Sequence, residues 1–578
     1  MSAPFPLPVV AALCVPALVP AQIERRDVRE QQHLAASAIR QWVADFEVGR
    51  LGPRGGLHAS PRLQPRYMQT ARHGGFFEGL RLDRLNHLDT LQKLLFFAER
   101  HPSVELTDAV LDVAATRICS ALFDRDAFEL RELGHWTLMR CEDQATWYQI
   151  LRTAAGERLP VLRDLRPEEA SEQAVTEGPG RRVAALRLLG QRGLPVFRST
   201  LEAAMVDADP RVRLAAAEAI QPPWKVALVR RIGRVLAQER HPVVSQALVR
   251  LLFRMMKRPP ADMSRDERMA TITGAIEQFG RCGWRTDMDL LDLVEQWPTK
   301  AAIPKLIEAL DLSISSPDAL VSAVNKRASP LLRERAGMLL RAMTGALVPI
   351  DDPDAWRRFW AQEQDNIVVP DRLPQQVPEG TRTTFFGVPV TGASIAFLID
   401  TSGSMDDAPA GKGPITGPRR TRTPRTRLEA AKAQLALAVQ AMPPESQFFL
   451  LTFADDARTW TRQPIRPGKR AARSVTGLLS RLHAKGGTNL YAGLVAALEV
   501  EGRSFGSDAL PKIDELFVLS DGEPTAGEVQ DADEMLAIVR HANKYAKVRI
   551  NTVFTGAGEG SDLLRRLAEE NGGVFVQR

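Results

Sequence analysis

The sequence predicts a multidomain chain: an α-helical solenoid followed by an α/β doubly wound domain. Three observations predict it. Between Gly178 and Met255 one helical pattern returns at a period of roughly 30 residues, within the range of helical solenoids. From Ala393 onward, short apolar runs alternate with helical patterns, as in a parallel α/β sheet. One of those runs, Ile395-Ala396-Phe397-Leu398-Ile399, ends abruptly in Asp400-Thr401-Ser402-Gly403-Ser404. The carboxyl end of a central strand is where an open α/β sheet binds its ligands, and oxygen-only donors there suit a hard cation such as Mg²⁺.

Composition narrows the classes. A chain of 578 residues leaves room for about three to four domains of roughly 150 residues. Hydrophobic residues make up 44% and charged residues 25%, which excludes disorder throughout. The net charge of +6 is too small an excess at this length to indicate a nucleic-acid partner. The four cysteines, Cys14, Cys119, Cys141 and Cys282, form no C-x-x-C pair. Neither a zinc ribbon nor a thioredoxin-like site is indicated, and they are too few for a disulfide framework. No window after the N-terminus has 18 uninterrupted apolar residues, so no transmembrane span is expected.

Residues 1–21 read as a signal peptide. Val9 to Ala21 is small and apolar, and Val19-Pro20-Ala21 resembles a cleavage site before Gln22. No Lys or Arg precedes the run, and prolines interrupt it. The expectation is an exported protein (periplasmic, cell-surface or secreted), with a cytoplasmic one as the alternative. Residues 22–79 are mixed: an amphipathic helix over Asp27 to Phe46, with Leu34, Ile39, Trp42 and Val43 as its stripe, then a Gly/Pro/Arg-rich loop from Gly49 to Gly75.

Residues 80–349 read as helical. Arg182-Val183-Ala184-Ala185-Leu186, Arg211-Val212-Arg213-Leu214-Ala215 and Pro242-Val243-Val244-Ser245-Gln246 are the repeating segments. Asp209-Pro210 starts one of these helices, and small alanines allow close helix approach. Further helices are expected at Ala301 to Leu310 and Leu331 to Met343. The repeats resemble HEAT repeats, or the related ARM-like class, which implies an extended interaction surface. Residues 350–392 hold a short helix with Trp356, Phe359 and Trp360, then a linker. Within that linker Phe385-Phe386-Gly387-Val388-Pro389-Val390 is apolar enough to dock as an extra strand.

In residues 393–578 the expected strands are Ile395–Asp400, Phe448–Phe453, Glu515–Ser520, Arg549–Thr555 and Val574–Val576, with a hairpin strand at Arg458–Trp460. The helices between them are expected at Leu428–Met442, Arg470–His483, Tyr491–Glu499, Ala532–Tyr545 and Ser561–Glu570. Two loops complement Asp400–Ser404. Gly486-Gly487-Thr488-Asn489 offers a hydroxyl on a close-approaching backbone, and Leu519-Ser520-Asp521-Gly522 ends a strand with an acid. The D-x-S-x-S, G-G-T-N and S-D-G segments, in this order, resemble the metal-ion-dependent adhesion site (MIDAS) of von Willebrand factor type A (VWA) domains. The resemblance implies that Ser402, Ser404 and Thr488 offer hydroxyls to Mg²⁺, or another divalent cation such as Mn²⁺, and that Asp400 and Asp521 supply charge. It further implies an open position for an Asp or Glu of a protein partner.

An insertion, residues 406–425, departs from the family. It carries Lys412, Arg419, Arg420, Arg422 and Arg425 and is expected to draw an acidic partner toward the metal face. No H-E-x-x-H, G-x-S-x-G or G-x-x-x-x-G-K-[ST] occurs. Gly556-Ala557-Gly558-Glu559-Gly560 reads as a turn rather than a dinucleotide loop, and His483 as a helix-end cation. No catalytic role is therefore assigned. The function expected is metal-dependent protein binding or scaffolding. The alternative is an intracellular accessory subunit of an ATPase-driven remodelling or metal-insertion complex.

Overall fold

The computed structural model describes residues 27–47, 88–118, 125–157, 178–311, 329–374, 383–408, 424–444, 446–461, 463–499, 511–556 and 560–578. The expected signal peptide, the Gly49–Gly75 loop and most of the basic insertion lie outside them. The chain forms two compact units that divide after Trp224.

The first unit is helical: α1 (Asp27–Glu47), α2 (Leu88–Arg100), α3 (Val104–Ala115), α4 (Arg125–Arg140), α5 (Gln144–Ala155), α6 (Pro179–Arg192), α7 (Arg198–Ala204) and α8 (Pro210–Ala219). Ile39, Trp42 and Val43 of α1 are buried, and α1 packs on α2 and α3. That ties the first helix of the 22–79 stretch to the helical unit. Arg40 and Arg181 pair with Asp108 and Asp112 of α3. The start signals act as the sequence suggests. Asp209 caps α8 by accepting the Arg211 N–H at 2.8 Å, with Pro210 next in line. The α6–α8 contact depends on small residues, since a Cβ on Gly190 would lie 2.5 Å from the Ala219 Cβ.

The second unit begins with α9 (Val226–Gln238), α10 (Pro242–Lys257), α11 (Arg265–Ile276), α12 (Trp284–Gln296), α13 (Ala302–Leu310), α14 (Pro330–Thr344) and α15 (Pro353–Glu363). Helices α9, α11 and α13 form one layer and α10, α12 and α14 a second. Helices α6, α8 and α10 each begin on a proline. The repeat's assignment to the HEAT class rests on the sequence resemblance. Helix α15 packs on α13, with Trp356 fully buried and its indole N–H donating to Pro349 O at 2.9 Å.

The rest of the unit is α/β. Its elements are β1 (Thr384–Phe385), β2 (Val388–Pro389), β3 (Ser394–Asp400), α16 (Arg427–Ala441), β4 (Gln447–Phe453), β5 (Ala457–Thr459), α17 (Lys469–Leu479), α18 (Leu490–Ala497), β6 (Glu515–Ser520), α19 (Ala532–Asn543), β7 (Arg549–Phe554), α20 (Ser561–Glu570) and β8 (Phe575–Gln577). The sheet order is β5-β4-β3-β6-β7-β8. All neighbours are parallel except β5, which pairs antiparallel with β4. The chain runs outward from β3 to β4 and β5, then returns to the other side of β3 as β6. That reversal puts the topological switch point beside β3.

Both sheet faces are covered. Ile395, Phe397 and Ile399 point into one core with α16 and α17, while Ala396 and Leu398 point into the other with α18, α19 and α20. A strand buried on both faces reads as an unbroken apolar run, which is why β3 is evident in the sequence. The apolar Phe385–Val390 segment does not join this sheet. It closes on itself as the hairpin β1–β2, because Phe386 and Gly387 both adopt positive φ and turn the chain back after two residues. Phe385 then fills the first core against Phe397 and Phe517.

The helical layers grip the sheet at its amino-terminal edge. Arg285 of α12 is 4% exposed. It donates to Ala546 O at 2.6 Å, Pro511 O at 3.1 Å and Ile513 O at 3.5 Å, carbonyls that precede β7 and β6. Glu334 of α14 pairs with Arg549 at 3.2 Å, Asp289 of α12 with Lys547 at 2.6 Å, and Ser329 donates to Asp514 at 3.3 Å. Among the described residues no helix is long and apolar enough to cross a membrane.

Candidate metal centre

Asp400 ends β3 at the switch point and is fully buried. Its Oδ1 accepts the Ser402 N–H at 2.8 Å, and its Oδ2 accepts the Ser520 hydroxyl at 2.5 Å. Burial pushes the Asp400 carboxyl up to about 6, against the pull of those hydrogen bonds. Thr401 fixes the turn by donating its N–H and hydroxyl to Phe453 O at 2.8 and 3.0 Å. The chain then enters a 3-10 turn over Gly403–Asp406. This turn brings the Ser402 and Ser404 hydroxyls within 3.1 Å of each other. Ser404 donates on to Asp521 Oδ1 at 2.8 Å. Asp400, Ser402, Ser404 and Asp521 thus form one hydrogen-bonded cluster at the ends of β3 and β6.

The loop that carries Thr488 lies against this turn through the backbone of its neighbours. The Gly403 N–H donates to Gly486 O at 3.0 Å and the Lys485 N–H to Thr401 O at 2.8 Å, which lays the 485–489 loop along the turn. Thr488 is buried, and its N–H donates to the Thr525 hydroxyl at 2.9 Å. Among the described residues no hydrogen bond joins the Thr488 side chain to the other four. Gly486 has φ of +87°, and a Cβ there would lie 2.4 Å from Asp455 Oδ2. Helix α17 ends at Leu479, so His483 lies in the loop beyond it rather than at a helix end.

The profile of the von Willebrand factor type A domain matches residues 395–523. That span runs from β3 to just past Asp521 and contains the whole cluster. The chain carries a von Willebrand factor type A domain.

Similar proteins match part of the chain. The chain is 27% identical over 158 residues to inter-alpha-trypsin inhibitor heavy chain 4 of Mus musculus, covering 26% of this chain and 15% of that protein. It is 26% identical over 185 residues to inter-alpha-trypsin inhibitor heavy chain H2 of Sus scrofa, covering 31% and 17%. The match therefore spans less than a fifth of either relative. Among solved structures, the PilB minor pilin from Streptococcus sanguinis covers 33% of this chain and 58% of its own, at 14% identity and a TM-score of 0.23.

Residues beyond the five assigned to the cation shape the VWA site. Ser520 supplies the hydroxyl on Asp400, and Arg427 donates to Asp521 Oδ2 at 2.6 Å. Gly556 and Gly560 each have a packing role, while residues 557–559 of the expected turn lie outside the described residues. A Cβ on Gly556 would lie 2.0 Å from Asp521 O, and one on Gly560 would lie 2.6 Å from Gly522 C. Only glycine fits at these two positions, so close to the backbone of Asp521 and Gly522. Among the described residues no three of His, Cys, Asp and Glu stand together as a metal group. The donors on offer are two carboxylates and neighbouring hydroxyls. Such an all-oxygen set fits Mg²⁺ or Mn²⁺ and not a soft metal.

Proposed function

We propose that this protein binds a partner protein through a divalent cation held at the VWA site, with the helical layers as mount and second contact surface. Asp400, Ser402, Ser404, Thr488 and Asp521 are the residues assigned to the cation, which is Mg²⁺ or Mn²⁺. The observation that carries the reading is the fully buried Asp400 carboxylate, clustered with the Ser402 and Ser404 hydroxyls at the switch point. An anion buried without a cation of its own is costly, and its raised proton affinity is the mark of that cost. A divalent cation relieves it. Hydroxyl ligands are neutral, so the ion keeps positive charge for a carboxylate from outside. That carboxylate belongs to an exposed Asp or Glu of the partner. The proposed place of action is outside the cytoplasm, in keeping with the leader-like residues 1–21.

The test is a pull-down with the full chain, run in Mg²⁺ and in EDTA and repeated with Asp400→Ala. A partner retained in Mg²⁺ and lost in the other two conditions is the expected result. Equal retention in all three overturns the metal bridge. A chain lacking residues 408–424, tested alongside, is expected to retain less partner, and unchanged retention removes the role given to the basic insertion.

A further inference from the structure

Asp521 is a carboxylate whose two oxygens are both engaged by this chain. Oδ1 accepts the Ser404 hydroxyl at 2.8 Å, and Oδ2 accepts an Arg427 N–H at 2.6 Å. The ion pair is sheltered, with the Arg427 side chain 12% exposed and that of Asp521 0%. Arg427 is the first residue of α16, and its guanidinium also reaches Ser404 O at 3.3 Å and Asp407 at 3.7 Å. Its backbone N–H donates to Asp407 O at 2.9 Å. The turn that carries Ser402 and Ser404 is therefore clasped to a fixed positive charge.

We propose that Arg427 is a resident cation of the site, competing with the divalent ion for Asp521. This rests on the metal-site reading above. Charges decide what the competition does. Asp407 is 69% exposed and its charge is screened by water; of the sheltered groups, Asp400 and Asp521 together carry −2 and Arg427 +1, a sum of −1. A divalent ion brings the sum to +1, whereas without Arg427 it would reach only zero. Arg427 thus holds metal affinity down while making the loaded site net positive, which selects an anionic ligand over a neutral one. A residue that merely pinned α16 would act oppositely on metal affinity, since its loss would loosen Ser404 and weaken every ligand. The sign of the effect separates the two roles.

The experiment is a Mn²⁺ titration of the full chain, with free Mn²⁺ followed by electron paramagnetic resonance. The variants are Arg427→Met, Arg427→Gln and Arg427→Lys, with Asp400→Asn to locate the metal. Arg427→Met and Arg427→Gln are each expected to tighten Mn²⁺ binding about tenfold, roughly 1.4 kcal/mol, with Arg427→Lys close to the unaltered chain. Thermal midpoints in EDTA and in Mn²⁺ provide a second readout. The neutral variants are expected to melt lower in EDTA and to gain more from Mn²⁺. If the unaltered chain binds Mn²⁺, and Asp400→Asn abolishes that binding, unchanged or weaker binding by both neutral variants overturns the competition alone. If neither the unaltered chain nor the neutral variants bind Mn²⁺, the metal-site reading fails, and the competition with it.

Discussion

Asp400 shows how the fold prepares an ion at the scale of one residue. The side chain is removed from water and given a backbone N–H and a hydroxyl, while the guanidinium at the site is committed to Asp521. The opposing loop is held at least as strictly. Gly486 combines positive φ with a Cβ position occupied by Asp455, and a side chain in that conformation costs about 1–2 kcal/mol. Gly486→Ala is therefore expected to destabilise the VWA domain by at least that amount in chemical denaturation. It is also expected to weaken Mn²⁺ binding, because the loop carrying Thr488 must shift. Unchanged stability and Mn²⁺ binding would show that the loop tolerates the shift. The clustering of Asp400, Ser402, Ser404 and Asp521 was legible in the sequence because each sits in a short stretch with strand-end and turn chemistry. Ser520 and Arg427 were not assigned roles there. Their partners lie 120 and 94 residues away, and no local pattern records which acid a serine or an arginine will meet.

At the scale of elements, legibility followed burial. The strands β3, β4, β6 and β7 were apparent within about one residue, since burial on both faces leaves only apolar residues to read. Helix α17 was expected to reach His483 and stops at Leu479. Leu482 is buried, which prolongs the apolar pattern, but residues 480–482 continue as tightened turns, with Leu482 N donating to Leu479 O. The Phe385–Val390 segment docks as the apolar content suggested, but as a hairpin of its own, because apolar content alone does not show where a backbone reverses. Helix α12 carries a different lesson. Its Asp287 is buried and accepts the Gly280 N–H at 2.9 Å, and burial pushes its carboxyl up to about 7. A carboxyl raised on folding holds an extra proton between its unfolded value near 4 and its folded value. Its contribution to stability is therefore present at low pH and lost as pH rises through about 7. Asp287→Asn keeps an acceptor for Gly280 without the charge. The variant is expected to melt about 2–4 °C higher at pH 8, with the gain fading toward pH 4. A gain that is absent at pH 8, or independent of pH, would contradict the burial argument.

On the scale of the whole molecule, the second unit joins its helical layers to the VWA domain through buried polar contacts rather than a loose tether. Arg285 is the centre of that joint. Three carbonyls on two inter-strand connections accept from it, and replacing it leaves them without their donor. Arg285→Met is expected to lower stability by about 3 kcal/mol or more. It is also expected to split one unfolding transition of residues 225–578 into two, read by calorimetry. A single transition at an unchanged midpoint would mean that the joint carries little energy. None of this was visible in the sequence, where Arg285 is one basic residue among many on a helical stretch. The helical character of this region was visible, through apolar spacing, a proline start at Asp209-Pro210 and alanine-rich stretches.

The position of that joint has a mechanical consequence. Arg285 holds the connections that enter β6 and β7, and Asp400 and Ser520 sit at the carboxyl ends of β3 and β6. A partner pulling on the site against an anchored helical region would load β3 and β6 along their length. The rungs between parallel strands would then be stressed together, in shear, rather than peeled apart one at a time. A sheet loaded this way resists tension with all its rungs at once.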